Sequence, residues 1–130
     1  MVIDASAVLA IVFGEPEAER MAAAIVAAPQ RLMSTVNLLE AVMVVQSRYG
    51  DESADDVYSM LRELEVEAVP FDVAQMKEAC EAWRRYGRGR HRARLNMGDC
   101  CAYAAALTLE QALLFKGADF PLTDIAAASW

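Results

Sequence analysis

Along this 130-residue chain, short apolar runs alternate with longer segments in which apolar positions recur every three or four residues. Val2-Ile3, Leu32-Met33-Ser34, Glu67-Ala68-Val69 and Leu113-Leu114-Phe115 read as strands, the third closed by Pro70. Helices are expected between them. The first runs from Ala7 to about Phe13, with Ser6 as its cap and Gly14 as its stop. A second opens at Glu15-Pro16-Glu17 and reaches Ala28, and a third starts at Ser34 or Thr35 and ends before Gly50. A fourth runs from Asp51–Ser53 through Glu65, and a fifth, capped by Asp72, from Val73 to about Tyr86. A sixth, capped by Asn96, covers about Asp99 to Glu110, and Thr123-Asp124-Ile125 is a last short edge element. This alternation implies right-handed crossovers, a central parallel sheet and helices on both faces, a three-layer α/β fold.

Composition narrows the class. The chain has the length of one domain, 1–130, and 56% hydrophobic residues, many of them alanine, exclude disorder. A formal net charge of −7 argues against a general electrostatic nucleic-acid binder but leaves room for a local basic patch. No apolar run is long enough to cross a bilayer, and a strand beginning at residue 2 leaves no place for a signal peptide. Cys80, Cys100 and Cys101 lack metal-site spacing and read as reduced core residues of a cytoplasmic protein. The apolar surplus also predicts a buried homodimer face.

Four acids stand apart from the solvated ones. Asp4 follows the first strand directly, where the chemistry of an open α/β sheet sits, although it could simply cap the next helix. Glu40 lies inside the apolar run Val36–Val45, either on a narrow polar stripe or buried with a partner. Asp99 opens the sixth helix beside Gly98, a residue that permits close backbone approach, and Asp119 follows the last apolar strand. A doubly wound sheet places all four along one edge. Carboxylates gathered there repel unless a cation neutralises them, and all-oxygen ligands suit Mg²⁺ or Mn²⁺. No histidine or cysteine spacing suggests zinc, and no glycine-rich phosphate loop is present.

One basic segment stands out. Arg84, Arg85, Arg88, Arg90, Arg92 and Arg94 supply half of the 12 Lys and Arg residues, around Gly87, Gly89 and His91. The glycines predict a mobile loop, and the arginines exceed what a helix C-terminus needs, so phosphate contacts are favoured over a solubility role. An acidic metal pocket beside an arginine loop fits a phosphodiester substrate, hydrolysed in line by a metal-activated water.

Val2-Ile3-Asp4-Ala5-Ser6-Ala7, Glu40, Asn96-Met97-Gly98-Asp99-Cys100 and Lys116-Gly117-Ala118-Asp119-Phe120 resemble the PIN-domain ribonucleases, more narrowly the VapC toxins of toxin–antitoxin pairs. The resemblance covers the whole chain. It implies a PIN-like α/β/α domain and an Mg²⁺-dependent endoribonuclease, usually a homodimer, acting on structured RNA such as tRNA or rRNA. It also implies inhibition by a cognate VapB-type antitoxin whose C-terminal segment enters the active-site groove. Asp4, Glu40 and Asp99 carry over as metal-binding acids. Many relatives carry the fourth acid one or two residues earlier, where this chain has Gly117 and Ala118, so Asp119 either reaches the pocket or braces the turn. Ser6 is a candidate to hydrogen-bond Asp4 or a metal-bound water, Arg88, Arg90 and Arg92 are candidate RNA contacts, and Asp124 reads as a turn residue.

Two rivals remain at this level. A receiver-type signalling domain shares an acidic Mg²⁺ pocket and a lysine like Lys116, but requires an acid pair after the first strand. A non-catalytic PIN-like RNA-binding module would tolerate loss of pocket acids.

Overall fold

In a computed structural model describing residues 1–130, four strands form one parallel sheet in the order β3-β2-β1-β4. They are β1 (Val2–Ile3), β2 (Leu32–Ser34), β3 (Glu67–Val69) and β4 (Leu113–Leu114). Val2 registers with Leu32 on one side and Leu113 on the other, and Leu32 registers with Glu67. Successive side chains point to opposite faces, so each strand feeds two cores. Val2, Leu32 and Leu113 pack with α5 (Val73–Tyr86) and α6 (Met97–Thr108). Ile3, Met33 and Leu114 pack on the other face with α1 (Ala5–Val12), α2 (Ala18–Ala27), α3 (Thr35–Tyr49) and α4 (Ala54–Glu63). Three layers result, as the alternating pattern predicts. β1 sits centrally, with chain order running outward to β2 on one side and jumping to β4 on the other. The carboxyl end of β1 is therefore the switch point where such sheets open a crevice.

Several local expectations shift. Asp4, not Ser6, caps α1, accepting from the Ser6 amide at 2.9 Å. The second helix begins at Ala18 rather than at Glu15-Pro16-Glu17, because Gly14, at φ 61°, first turns the chain. A separate 3-10 turn covers Asp51–Ser53, and left-handed backbone at Glu65 and Glu110 follows α4 and α6, which stop short of those residues. The last edge contact is made not by Thr123–Ile125 but at Ala127, which bridges Leu113 in parallel. Cys100 and Cys101 are buried as expected, whereas Cys80 is exposed on α5.

The arginine segment is tied rather than loose. Gly87 bridges Leu95, the Arg88 amide donates to the Leu95 carbonyl at 3.0 Å, and the Leu95 amide to the Tyr86 carbonyl at 3.0 Å. Ala93 and Leu95 are fully buried anchors beneath the exposed arginines.

Candidate active site

Asp4 is 3% exposed at the end of β1, and its backbone amide donates to the Leu114 carbonyl at 2.9 Å. Its Oδ2 accepts from both the Ser6 amide and the Ser6 hydroxyl. That hydroxyl in turn accepts from the Lys116 amide at 2.9 Å, so Ser6 fastens the ends of β1 and β4 together. The capping role weighed for Asp4 is therefore observed, with Oδ2 capping α1 at the carboxyl end of β1.

Opposite Asp4, α3 and α6 meet. Ser34 caps α3, with the Val36 amide donating to its hydroxyl, and this sets the helix start so that Asn37 and Glu40 share a face three residues apart. The Asn37 amide donates to Asp4 Oδ1 at 3.3 Å and to the Gly98 carbonyl at 3.0 Å. Asn37 escaped the sequence reading; its signal is the one amide within the apolar run Val36–Val45, three residues before Glu40. The Asn37 Oδ1 is buried without a partner. Glu40 is half-buried and lies against Gly98, where a Cβ would fall 2.1 Å from Glu40 Oε2. The glycine is thus needed for close approach, as its position beside Asp99 suggests.

A capping box fixes Asp99 at the start of α6. Its Oδ2 accepts from the Asn96 amide at 2.7 Å, and Asn96 Oδ1 accepts from the Asp99 amide at 2.9 Å. Asp119 is exposed on the turn after β4, near enough for its charge to raise the Asp99 pKa.

The electrostatics follow from burial and like charge. Burial pushes Asp4 up to about 6 against the pull of Ser6, with the charge of Asp99 adding to the rise. Glu40 is raised first by burial and then by Asp4 and Asp99; Asp99 is raised by burial and by Asp119. None of the four acids has an ion-pair partner. Lys116 instead pairs with Glu15 at 2.5 Å and Glu17 at 3.0 Å, away from the role a receiver domain would give it. No three acidic, histidine or cysteine side chains lie close enough together to hold a metal ion as the chain is folded here. The acids act on one another through their charges, and an orphaned amide oxygen of Asn37 lies beside Asp4; hard oxygen donors of this kind suit a cation that keeps several of its waters.

In the loop between α5 and α6, Arg88, Arg90, Arg92 and Arg94 are exposed and make no ion pair. Arg84 pairs with Glu81, and Arg85 with Asp124 at 2.8 Å. The loop leads through Leu95 into Asn96 and hence into the Asp99 cap.

The PIN domain family profile matches residues 1–126. The chain is 47% identical over 127 residues to a protein named Ribonuclease VapC from Mycolicibacterium smegmatis, covering 98% of each. It is 45% identical over 129 residues to Ribonuclease VapC30 of Mycobacterium tuberculosis, covering 99% of this chain and 98% of that one. In fold it is similar to the crystal structure of Mycobacterium tuberculosis VapC20, a Sarcin-Ricin loop cleaving toxin. That match has a TM-score of 0.76 at 15% identity over 96% of this chain and 95% of that one. A toxin-antitoxin complex from Klebsiella pneumoniae has a TM-score of 0.66 at 14% identity, over 89% and 85% of the two chains. With a family match across nearly the whole chain and close relatives that share its length, this chain belongs to the PIN-domain family, among its VapC ribonucleases.

Proposed function

We propose that this chain is the toxin of a VapBC-type pair, an endoribonuclease that hydrolyses RNA phosphodiester bonds at a divalent metal held by Asp4, Glu40 and Asp99. The observation that carries this is the convergence of three acids with raised pKa values and no counter-cation on the carboxyl edge of β1. PIN-domain ribonucleases are generally metal-dependent, and the donor set of hard carboxylate oxygens favours Mg²⁺, with Mn²⁺ as a substitute. Asp119, exposed on the turn after β4 and near enough to act on Asp99, would be the fourth acid toward that ion.

The bound ion would supply a lowered pKa for the attacking water and charge compensation at the leaving oxygen. The chain's own residues do the rest. Ser6 and Asn37 hold both Asp4 oxygens, which fixes the carboxylate plane. Asn37 also joins α3 to α6 through Gly98, so Glu40 and Asp99 keep their mutual position. Asn96 orients Asp99. Arg88, Arg90 and Arg92 draw the RNA backbone toward the acids by phosphate contacts.

Structured RNA is the substrate class, tRNA or rRNA, in keeping with the structurally similar VapC20, a Sarcin-Ricin loop cleaving toxin. VapC toxins pair with antitoxins, and a VapB-type antitoxin is the proposed regulator here, with a homodimer as the working assembly. Cleavage of total RNA with Mg²⁺ or Mn²⁺, with EDTA, and by Asp99→Asn tests the proposal. Discrete metal-dependent fragments missing from the EDTA and variant lanes are expected. RNA binding without cleavage in any lane would instead support a binding module.

A further inference from the structure

From Arg90 to Leu95, exposure alternates along the loop between α5 and α6. Arg90, Arg92 and Arg94 are exposed, as is Arg88 before them, while Ala93 and Leu95 are fully buried and His91 is half-buried. In a chain with 19 acids and a net charge of −7, none of these four arginines meets a carboxylate. The backbone beneath them closes on itself. The Arg90 and His91 amides both donate to the Gly87 carbonyl, at 3.0 Å and 3.1 Å, and Arg94 is left-handed at φ 55°.

His91, the single histidine of the chain, is tied at more than its amide. Its carbonyl accepts from the Arg94 amide at 3.1 Å, and its Nδ1 accepts from the Ala93 amide at 3.1 Å. The ring stands edge-on to Tyr86, with centroids 5.3 Å apart at 78°, and Tyr86 packs on Tyr103 at 5.8 Å. An aromatic column thus runs from the loop into the contact of α5 with α6. The acid site described above uses no atom of His91.

We propose that His91 is a positioning residue for RNA: it holds the loop in the turn that presents the four arginines together to the phosphate backbone. The inference rests on the ribonuclease reading above. Four like charges within seven residues repel one another, and each is carried on a long side chain with many rotamers. A free loop would spread them and incur the ordering cost on binding; a pinned loop has met that cost during folding. Guanidinium forks match phosphate oxygens two at a time, so a fixed ridge of them suits a polyanion. An acidic protein segment would offer carboxylates to the same forks, and the ribonuclease reading decides for phosphate.

The test measures affinity for a labelled RNA hairpin across a salt series, in the Asp99→Asn chain so that the RNA stays intact. His91→Phe keeps a ring against Tyr86 but removes the acceptor. It should weaken binding about fivefold at every salt concentration and leave the slope of log affinity against log salt unchanged, because the same charges still release the same counterions. His91→Asn, whose side-chain oxygen can accept from the amide two residues on, should bind within about twofold of the parent. Amide exchange at Ala93 should quicken in the Phe variant and stay slow in the Asn variant. His91→Ala repeats the loss if the larger ring does not fold. Unchanged affinity in both Phe and Ala variants would overturn the proposal, as would an Asn variant as weak as Phe. A flattened slope would overturn it too, by making His91 itself a phosphate contact, and so would a loss seen with polyglutamate but not with RNA. Failure of the ribonuclease reading registers separately, as absence of cleavage by the chain with Asp99 and His91 intact.

Discussion

Asp4 and Asp124 are the same side chain in opposite surroundings. Asp124 sits on the C-terminal stretch between Arg85 at 2.8 Å and the Tyr103 hydroxyl at 2.6 Å, and hydrogen bonds from these and Tyr86 hold it down at about 2. It ties α5 and α6 to the chain end, and its charge is met. Asp4 is buried among other acids, stands at about 6, and meets no cation within the chain. A matched carboxylate is explained by the fold it supports. An unmatched buried cluster is maintained against its own repulsion, and such placement points to function.

Breaking the two sites should therefore give opposite signatures. The largest effect is on activity: Asp99→Asn should lower metal-dependent RNA cleavage more than about a hundredfold, while Asp124→Asn leaves it within a few-fold, measured on one RNA substrate.

Stability of the metal-free chain should separate them by pH. Asp4 is raised from 3.8 to about 6, so between these values the folded state holds a proton that the unfolded state has released. Stability then falls as pH rises from about 4 to about 6, by roughly 3 kcal/mol, and stays lower above that. Asp124 runs the other way: its depressed value adds stability at neutral pH that is lost as pH falls toward about 2. Urea titrations across pH 2 to 8 check both limbs, and divalent metal should remove the Asp4 limb alone.

At pH 7 without metal, Asp99→Asn should raise the melting temperature by a few degrees, because one of three mutually repelling acids is neutralised while the Asn96 cap is kept. Asp124→Asn should lower it.

Much of the site is legible in sequence because its residues are local signals: an acid at a strand end, an acid in a helix's first turns, a glycine one residue before it. The fold is legible for the same reason, since strand and helix periods alternate cleanly. What escapes is long-range. Asn37 gains meaning only when α3 meets Gly98 of α6, and Asp124 only when α5, α6 and the chain end converge. Gly87 and Gly89 read as freedom, yet Ala93 and Leu95, buried beneath, tie the arginine loop down. Pro16 reads as a helix start, but Glu15 and Glu17 are taken up by Lys116 in a turn before α2.

The smallest predicted effect concerns that loop. Replacing Arg88, Arg90 and Arg92 with Ala should weaken RNA binding and reduce the slope of log affinity against log salt by about two, near 0.7 per lost phosphate contact. An unchanged slope would return the loop to a solubility role.

The most direct test of the central claim is Mn²⁺ binding, followed by electron paramagnetic resonance on three proteins: the unaltered chain, Asp99→Asn and Asp124→Asn. The account predicts saturable binding by the first and third and its loss in the second. Equal binding by all three, or none by the unaltered chain, would contradict the assignment of Asp4, Glu40 and Asp99 as a metal centre.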